Sequence, residues 1–386
     1  MQEIYFDNSA TTRLCCSSVA AMEEAMKTNF ANPSSKHRPG FLAEQMLEQA
    51  RGRVLSALGV KSRADKLVFT ASGTEANNLA LAGSAFAKEK NKGGTIVLTD
   101  SEHASVYNCA KHLEKQGFNI RLLPTRGGKI DPAHVLSAID EHAFLLSIMH
   151  VNNEHGAVYD VSTIFRAAKR KKPDLITHTD AVQSFMKLPF TPQGLGADLV
   201  TLSAHKIHGP KGAGALYVSE EIIKRKCLSP VLFGGGQELG LRSGTENTIS
   251  IAGFGAAAAE NAPKLKEHLL RAQQVRTALV EHLPNSIQVN SAEKTSPFII
   301  SLTLPDIKSE TMLHYLSGRG IYVSSGSACS SNTAGKISRT LKAFGLSERQ
   351  ADCTIRLSLS SENTVEEACI VAGAISDGCN ELVQMQ

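Results

Sequence analysis

The stretch Leu199-Val-Thr-Leu-Ser-Ala-His-Lys206 joins an apolar run, typical of a buried β-strand, to a histidine and a lysine. Similar apolar runs recur on both sides of it. The predicted strands are 66–70, 95–99, 120–123, 144–151, 175–179, 199–202 and 215–218. The predicted helices between them are 75–90, 105–116, 133–140 and 162–171. Strands that read as unbroken apolar runs and alternate with helices indicate a mainly parallel sheet covered on both faces.

The pattern changes after about residue 258. A charged helical stretch over 262–282 leads into shorter strands and helices, which is typical of a smaller α+β unit. We therefore predict an α/β protein with a large domain over residues 15–258. The small domain is expected to comprise residues 259–386 together with the N-terminal segment 1–14.

Composition excludes several classes of protein. The formal net charge of +4 over 386 residues, without a polybasic arm, gives no reason to expect a nucleic-acid partner. No signal peptide is recognisable, and no apolar stretch is long enough to span a membrane. Eight irregularly spaced cysteines without a C-x-x-C pair fit neither a disulfide framework nor a zinc ribbon. A reducing cytoplasm and no metal site are the expectations.

Chemically useful side chains follow three of the predicted strands. Lys206 is a candidate for Schiff-base formation, because partial burial would free its amine, although an exposed loop lysine is the commoner case. Asp180 can keep the ring nitrogen of pyridoxal 5'-phosphate (PLP) protonated, with Gln183 reaching a ring oxygen, or Asp180 can simply cap a helix. His103 can stack on a flat ring and move protons, or lie at the surface.

Three further segments carry candidate binding or reactive groups. The turn 71–76, with Gly73 and Thr74, can present backbone N–H groups to a phosphate, and no Walker A pattern accompanies it. Arg356 lies within predicted strand 354–358 and suits either a substrate carboxylate or a structural ion pair. Cys329 lies in a loop of small polar residues and is either catalytic or a free surface thiol.

The order of these motifs resembles that of the cysteine desulfurases, the NifS-like group of class-V, fold-type-I PLP enzymes. The resemblance covers nearly the whole chain. The segments that carry it are 5–12, 32–35 with His37, 73–78, 102–103, 150–154, 180–183, 203–206, 242–247, 326–329 and 356–358. It implies a fold-type-I PLP-dependent transferase with a mainly parallel seven-stranded sheet in the large domain. It also implies a mobile cysteine loop, about residues 324–336, in the small domain.

The resemblance also implies a role for each matching residue. Three residues would be catalytic: Lys206 as the Schiff-base lysine, His103 stacked on the ring, and Cys329 as the nucleophile that carries a persulfide. The residues implied to hold PLP are Gly73, Thr74, His103, Asp180, Gln183, Ser203, His205, Lys206 and, from the neighbouring subunit of a homodimer, Thr245. Asn153 and Arg356 would bind the substrate carboxylate.

The implied activity is conversion of L-cysteine to L-alanine, with the sulfur passed to a protein acceptor of iron–sulfur cluster assembly or tRNA thiolation. Selenocysteine lyase or another class-V PLP enzyme is the alternative, and a non-catalytic sulfur-relay subunit is a third. The chain departs from the usual family pattern at His155 and Leu239, near the expected active-site and dimer loops.

Overall fold

The computed structural model describes residues 3–88, 91–325 and 338–383. Its strands are β1 Ile4–Tyr5, β2 Lys66–Thr70, β3 Thr95–Thr99, β4 Asn119–Leu123, β5 Ala143–Ser147, β6 Ile176–Asp180, β7 Leu199–Ser203, β8 Gly214–Val218, β9 Gln288–Val289, β10 Ile299–Thr303, β11 Ile321–Tyr322, β12 Ser324–Ser325 and β13 Thr354–Ser358. Its α-helices are α1 Cys16–Thr28, α2 Arg38–Ala57, α3 Gly73–Phe86, α4 Ala104–Lys115, α5 Pro132–Ala138, α6 Val161–Lys171, α7 Pro192–Leu195, α8 Glu220–Arg225, α9 Thr248–Asn261, α10 Leu265–Glu281, α11 Ser309–Ser317, α12 Arg339–Phe344, α13 Glu348–Asp352 and α14 Val365–Val383.

A seven-stranded sheet in the order β2-β8-β7-β6-β5-β3-β4 forms the centre of the molecule. Its neighbouring strands are parallel except around β8, which pairs antiparallel with both β2 and β7. Every residue of β3, β5, β6, β7 and β8 is buried, as strands covered on both faces require. The predicted α/β fold with a mainly parallel seven-stranded sheet is thus confirmed.

The sheet brings the strand-end residues to one edge. In a parallel sheet the carboxyl ends of the strands lie together, and ligands bind outside them. His103 follows β3, Asp180 ends β6 and Lys206 follows β7, so all three lie at this edge. Helix α3 also begins there, because β2 runs antiparallel to β8 and therefore in the same direction as β7.

Three long helices were not predicted from the sequence. Helix α9 is buried on nearly all sides, and α1 and α2 pack against it. A side chain at Gly255 would overlap the backbone and Cβ of Ala50 on α2, so glycine permits this close approach. These helices cover one face of the large sheet with a second apolar layer.

A second, antiparallel sheet of order β12-β13-β10-β9 has an apolar cluster of its own, supported by α10, α11 and α14. The N-terminal strand β1 pairs in parallel with β11, and Phe6 joins this cluster. The domain boundaries at residues 14 and 258 stay predictions. Most of the predicted cysteine loop, including Cys329, lies outside the described residues.

Within the described ranges, no helix is long and apolar enough to cross a membrane. The seven cysteines found there are free thiols, and only Cys16 is classed as exposed. Burial raises the pKa of Cys109 and of Cys379 to about 11, which keeps both as unreactive thiols at neutral pH.

Candidate active site

A cavity of about 210 Å³ opens at the carboxyl edge of the large sheet. The residues from the predicted site that line it are Gly73, Thr74, His103, Asn153, Asp180, Gln183, Ser203, His205 and Lys206. The residues that sequence analysis gave no role there are Ser9, Ser72, Asn77, Ser105, Met149 and Val182. Segments far apart in sequence therefore build one polar cavity.

Lys206 lies in a single helical turn, Ala204–Lys206, directly after β7. Its Nζ donates hydrogen bonds to the Ser9 carbonyl at 2.5 Å and to the Ala10 carbonyl at 2.7 Å. Both of these acceptors are neutral backbone carbonyl oxygens. The amine therefore lies half-buried at the cavity wall, in a place where it can react with a carbonyl compound.

Asp180 is buried, with 5% of its surface exposed, and its carboxylate has a fixed orientation. Oδ1 accepts the Val182 N–H at 3.0 Å, and Oδ2 accepts a hydrogen bond from Asn77 Nδ2 at 2.8 Å. Asn77 lies on α3, one turn after Gly73, and also donates to Ser105. A carboxylate held in this way can pair with a protonated ring nitrogen, because two neutral donors do not cancel its charge.

His103 is the N-cap residue of α4, and its ring lies in the cavity wall. Nδ1 accepts the Ser105 N–H at 3.2 Å, so a neutral ring carries its proton on Nε2. Burial lowers the pKa of His103, Asp180 partly opposes that shift, and the cations Lys206 and Arg339 reinforce it. The ring is therefore neutral at physiological pH, and a stacked aromatic molecule would meet an uncharged face.

The N-terminus of α3 forms the anion-binding end of the cavity. This helix has fourteen residues and begins at Gly73, after Ser72 as the N-cap. The hydroxyl oxygen of Ser203 lies beside it, buried, and has no hydrogen-bond partner among the described residues. A Cβ atom at Gly73 would lie 3.0 Å from Val182 Cγ2 and 3.4 Å from Ser203 Cβ. An orphaned donor next to exposed helical N–H groups fits a phosphate.

His205 completes that end of the cavity. Its Nδ1 lies 3.2 Å from the Thr11 hydroxyl. Burial, with the nearby cations Lys206 and Lys211, lowers the pKa of His205 to about 4. The neutral imidazole can still donate one N–H to a phosphate oxygen.

Gln183 has both ends of its amide engaged. Nε2 donates to the Ser9 carbonyl at 3.1 Å, and Oε1 accepts a hydrogen bond from Lys187 Nζ at 3.0 Å. Ser9 therefore contacts both Gln183 and Lys206. Lys187 was not predicted as a site residue, because nothing in its local sequence pattern distinguishes it from a surface lysine.

Arg356 lies at the centre of the second sheet, paired with Ser301 on one side and Ser324 on the other. Its guanidinium is buried and donates to the Asn153 carbonyl at 3.0 Å and to Asp7 Oδ1 at 2.9 Å. Arg356 does not line the cavity itself but touches Asn153, which does. Both Arg356 Nε and Asn153 Oδ1 are buried without hydrogen-bond partners in the described ranges, so this corner can accept another polar molecule.

After Arg356, Thr245 is a second predicted site residue that lies away from the cavity. Thr245 is exposed in the loop before α9 and does not line it. Cys329 lies outside the described residues. Their implied roles stay predictions.

The two departures from the family pattern have different surroundings. His155 is buried, its ring lies 4.6 Å from the Phe344 ring between centroids, and Nδ1 accepts the Ala157 N–H at 3.3 Å. Burial lowers the pKa of His155 to about 3, so it packs as a neutral aromatic ring. Leu239 is 60% exposed, in a loop with other exposed apolar residues.

The chain matches the family model of class-V aminotransferases over residues 4–371. It is 36% identical over 367 residues to a protein of Archaeoglobus fulgidus named cysteine desulfurase IscS 1. This match covers 94% of this chain and 93% of the relative. A solved structure of a NifS-like protein superposes with a TM-score of 0.90 at 34% identity and full coverage of both chains. Another, titled SspA in complex with cysteine, has a TM-score of 0.80 at 35% identity and covers 93% of this chain and 99% of that one.

In each of these comparisons the match extends over almost the whole length of both proteins, and the two solved structures share the fold. The chain therefore belongs to the class-V aminotransferase family, in the group of the NifS- and IscS-like cysteine desulfurases.

Proposed function

We propose that the chain is a PLP-dependent cysteine desulfurase, which converts L-cysteine to L-alanine and carries the sulfur as a persulfide on Cys329. The observation that carries the proposal is the meeting of Lys206, His103 and Asp180 in one cavity at the carboxyl edge of the sheet. A relative at 36% identity is named cysteine desulfurase, and a similar structure is titled as a complex with cysteine.

The cavity residues fit PLP at both of its ends. The phosphate would lie at the N-terminus of α3, with Thr74, Ser203 and His205 as further donors. The ring would lie against His103, with Asp180 at its nitrogen and Gln183 at its phenolic oxygen. When bound, PLP supplies an electron sink that lowers the barrier to removing the substrate's Cα proton.

The chain's own groups would handle the substrate and its protons. Asn153 and the adjacent Arg356 would bind the substrate carboxylate, and the Lys206 amine would take up the Cα proton. The Cys329 thiolate would bond to the substrate sulfur as the carbon–sulfur bond breaks. Cβ takes up a proton and Cα regains the proton held by Lys206, which gives alanine, and the sulfur remains as a Cys329 persulfide, so no external oxidant is required.

The first test is covalent trapping and product analysis. Purified protein with PLP is expected to be yellow, to form a borohydride-reduced adduct at Lys206, and to release sulfide and alanine from L-cysteine in the presence of a thiol. Protein that stays colourless with added PLP would contradict the proposal.

The second test separates the nucleophile from the other cysteines. Cys329→Ser should abolish sulfide release from L-cysteine but keep the yellow colour. The control is Cys16→Ser, at an exposed cysteine, which should retain activity. Sulfide release that survives Cys329→Ser would exclude the persulfide mechanism. If release of selenide from L-selenocysteine survives the same change, the selenocysteine lyase alternative is favoured.

We propose further that the protein is a homodimer in which Thr245 completes the phosphate site of the partner subunit. Val231, Leu232, Phe233 and Leu239 are exposed apolar residues, with Phe233 80% exposed, and Leu232 pairs with Arg242, three residues before Thr245. Apolar surfaces of this kind mark protein interfaces.

Subunit mixing tests this arrangement directly. Lys206→Ala and Thr245→Ala homodimers should each have little activity, and reassembly of a mixture should restore about one quarter of the wild-type value. Half of the randomly paired dimers are mixed, and each has one intact site if Thr245 acts across the interface. No restoration in the mixed dimers would place Thr245 in the site of its own subunit.

Sulfur from Cys329 would pass to a protein acceptor, for which we propose an iron–sulfur scaffold or a tRNA-thiolation enzyme. Persulfidated protein labelled with radioactive sulfur, incubated with each purified class of acceptor, would show which of them receives the label.

A further inference from the structure

Lys187 is a buried lysine for which the reaction above has no use. It lies in the turn after β6, seven residues beyond Asp180, and only 5% of its surface is exposed. Its Nζ is 3.0 Å from Gln183 Oε1 and 6.0 Å from the centre of the Phe298 ring. In the parts of the chain that the structure describes, no carboxylate forms an ion pair with it.

The surroundings of Lys187 make its placement costly. Burial and the neighbouring cations Lys206 and Arg356 lower the pKa of Lys187 to about 7. His205 and His208 also lie close enough for Lys187 to lower their pKa, and burial keeps both neutral. A buried amine without a counter-ion reduces stability, so a compensating benefit is expected.

Lys187 determines which way the Gln183 amide faces. An amide presents a hydrogen-bond acceptor at Oε1 and donors at Nε2, and a protonated lysine can only donate. With Lys187 at Oε1, the Nε2 end lies toward the cavity, where it also donates to the Ser9 carbonyl at 3.1 Å. A rotated amide would place two donors against each other at Lys187.

We propose that Lys187 is a positioning residue, which holds the Gln183 amide so that Nε2 donates a hydrogen bond to the phenolic oxygen of bound PLP. This inference rests on the proposed function, because it requires PLP in the cavity. Lys187 does not line the cavity itself, and it would influence the charge on the phenolic oxygen of PLP only through the Gln183 amide.

The proposal has a spectroscopic consequence. A hydrogen-bond donor at the phenolic oxygen neutralises part of that oxygen's negative charge. The oxygen therefore attracts the neighbouring proton less strongly. The visible absorbance of bound PLP should therefore change at a lower pH in the wild type than in a protein whose Gln183 amide is free to rotate. Loss of the positive charge at Lys187 would act in the same direction, so a second comparison must separate the two effects.

The experiment is a pH titration of the visible absorbance of purified, PLP-loaded variants. Lys187→Met should raise the apparent pKa of the absorbance change by about one unit, equivalent to a roughly tenfold shift in the proton equilibrium. Lys187→Arg keeps a donor at Gln183 Oε1 and should restore most of the wild-type value. Lys169→Met is the control, because Lys169 pairs with Asp198 at the opposite end of the sheet and should leave the titration unchanged.

The same pair of variants in a Gln183→Leu background separates orientation from charge. If Lys187 acts through the amide, Gln183→Leu raises the apparent pKa by itself, and Lys187→Met then adds only the smaller shift that comes from its lost charge. An equal shift in both backgrounds overturns the positioning role, and so does an unchanged titration in Lys187→Met that still binds PLP. A wild-type protein with no visible band would instead overturn the proposed function.

Discussion

Glu102, next to His103, is a buried carboxyl whose protonation depends on pH. Oε1 accepts hydrogen bonds from the Thr99 hydroxyl at 2.8 Å and the Met149 N–H at 2.9 Å, and Oε2 has no partner among the described residues. Burial raises the pKa of Glu102 to about 8, and the hydrogen bonds only partly offset it. The folded chain therefore keeps this carboxyl protonated at neutral pH.

A pH dependence of stability follows from Glu102. The unfolded chain ionises this group near pH 4.5 and the folded chain near pH 8, so the folded state holds the extra proton between these values. Its contribution makes stability fall as pH rises through that window. Glu102→Gln should flatten this slope in urea unfolding measured at pH 5.5 and pH 8. Glu281→Gln, at an exposed position, is the control, and an unchanged slope in Glu102→Gln would contradict the assignment.

Asn77 shows how a single amide can support the site. It holds Asp180 Oδ2 at 2.8 Å. Since hydrogen bonds to charged groups contribute about 1.5–3 kcal/mol, Asn77→Ala should weaken PLP binding by about ten- to a hundredfold. The measurement is equilibrium dialysis of PLP with the apoprotein. Asn78→Ala removes only a bond to the Thr74 carbonyl and should change the affinity little, so equal losses in both variants would refute this role of Asn77.

Site residues that directly follow an apolar strand could be predicted from the sequence, because the end of the strand determines where the side chain lies. Lys206, Asp180 and His103 belong to this group. Asn77 could have been found from its spacing of four residues after Gly73, which places both on one face of a helix. Lys187 and Ser9 could not, since their partners depend on segments that meet only in the folded chain.

Among the elements, α3 depends most on a single residue at its start. Gly73 lies where a Cβ would come within 3.0 Å of Val182 Cγ2. Gly73→Ala is expected to push the helix end away from Ser203 and to weaken binding of PLP by about tenfold, in line with the loss of one charge-assisted hydrogen bond. Binding is measured by the same dialysis, and an unchanged affinity would contradict the close approach.

A glycine elsewhere provides the matched control. Gly373 lies exposed within α14, and an added Cβ there would contact nothing within 4 Å. Gly373→Ala should keep the PLP affinity and stabilise the chain by about 0.5–1 kcal/mol in urea unfolding, because alanine loses less conformational freedom in a helix. A loss of stability would show that the position carries a constraint beyond helix propensity.

The strands of the large sheet were predicted to within one residue at their ends, because continuous apolar runs mark them clearly, except that β5 ends at Ser147 and was predicted to run to 151. Helix α3 was placed at 75–90 and spans 73–86, since its start depends on the Ser72 cap, whose hydroxyl accepts the Glu75 N–H at 3.2 Å. Helices α1, α2 and α9 were missed. The composition of α9 is apolar all round, so it lacks the one-sided pattern by which a surface helix is recognised.

For the whole molecule, Asp7 connects the N-terminal segment to two adjacent strands of the second sheet, β12 and β13. Its Oδ1 accepts hydrogen bonds from Arg356 Nη2 at 2.9 Å and from the Ser324 hydroxyl at 2.7 Å. Ser324 immediately precedes the segment that contains Cys329. The Asp7 carboxylate thus holds Arg356, the candidate for binding the substrate carboxylate. It also holds Ser324, at the start of the predicted cysteine loop.

Removing that carboxylate should have a large effect. Asp7→Ala leaves the buried Arg356 guanidinium without its counter-ion, and such a loss costs about 3–5 kcal/mol of stability. Urea unfolding should show this loss, together with a higher KM for L-cysteine. Asp7→Asn keeps an acceptor oxygen and should lose clearly less, so equal losses in the two variants would show that charge alone matters.

Ser9 and Ala10, whose carbonyls hold Lys206, are themselves fixed by a strand near the other end of the chain: Ser9 N–H donates to the Ser358 hydroxyl at 2.8 Å. Residues 349 positions apart in the sequence therefore form one wall of the cavity together. A nascent polypeptide cannot finish that wall until position 358 has emerged from the exit tunnel. Chains that end before position 358 are therefore expected to lack this wall of the cavity.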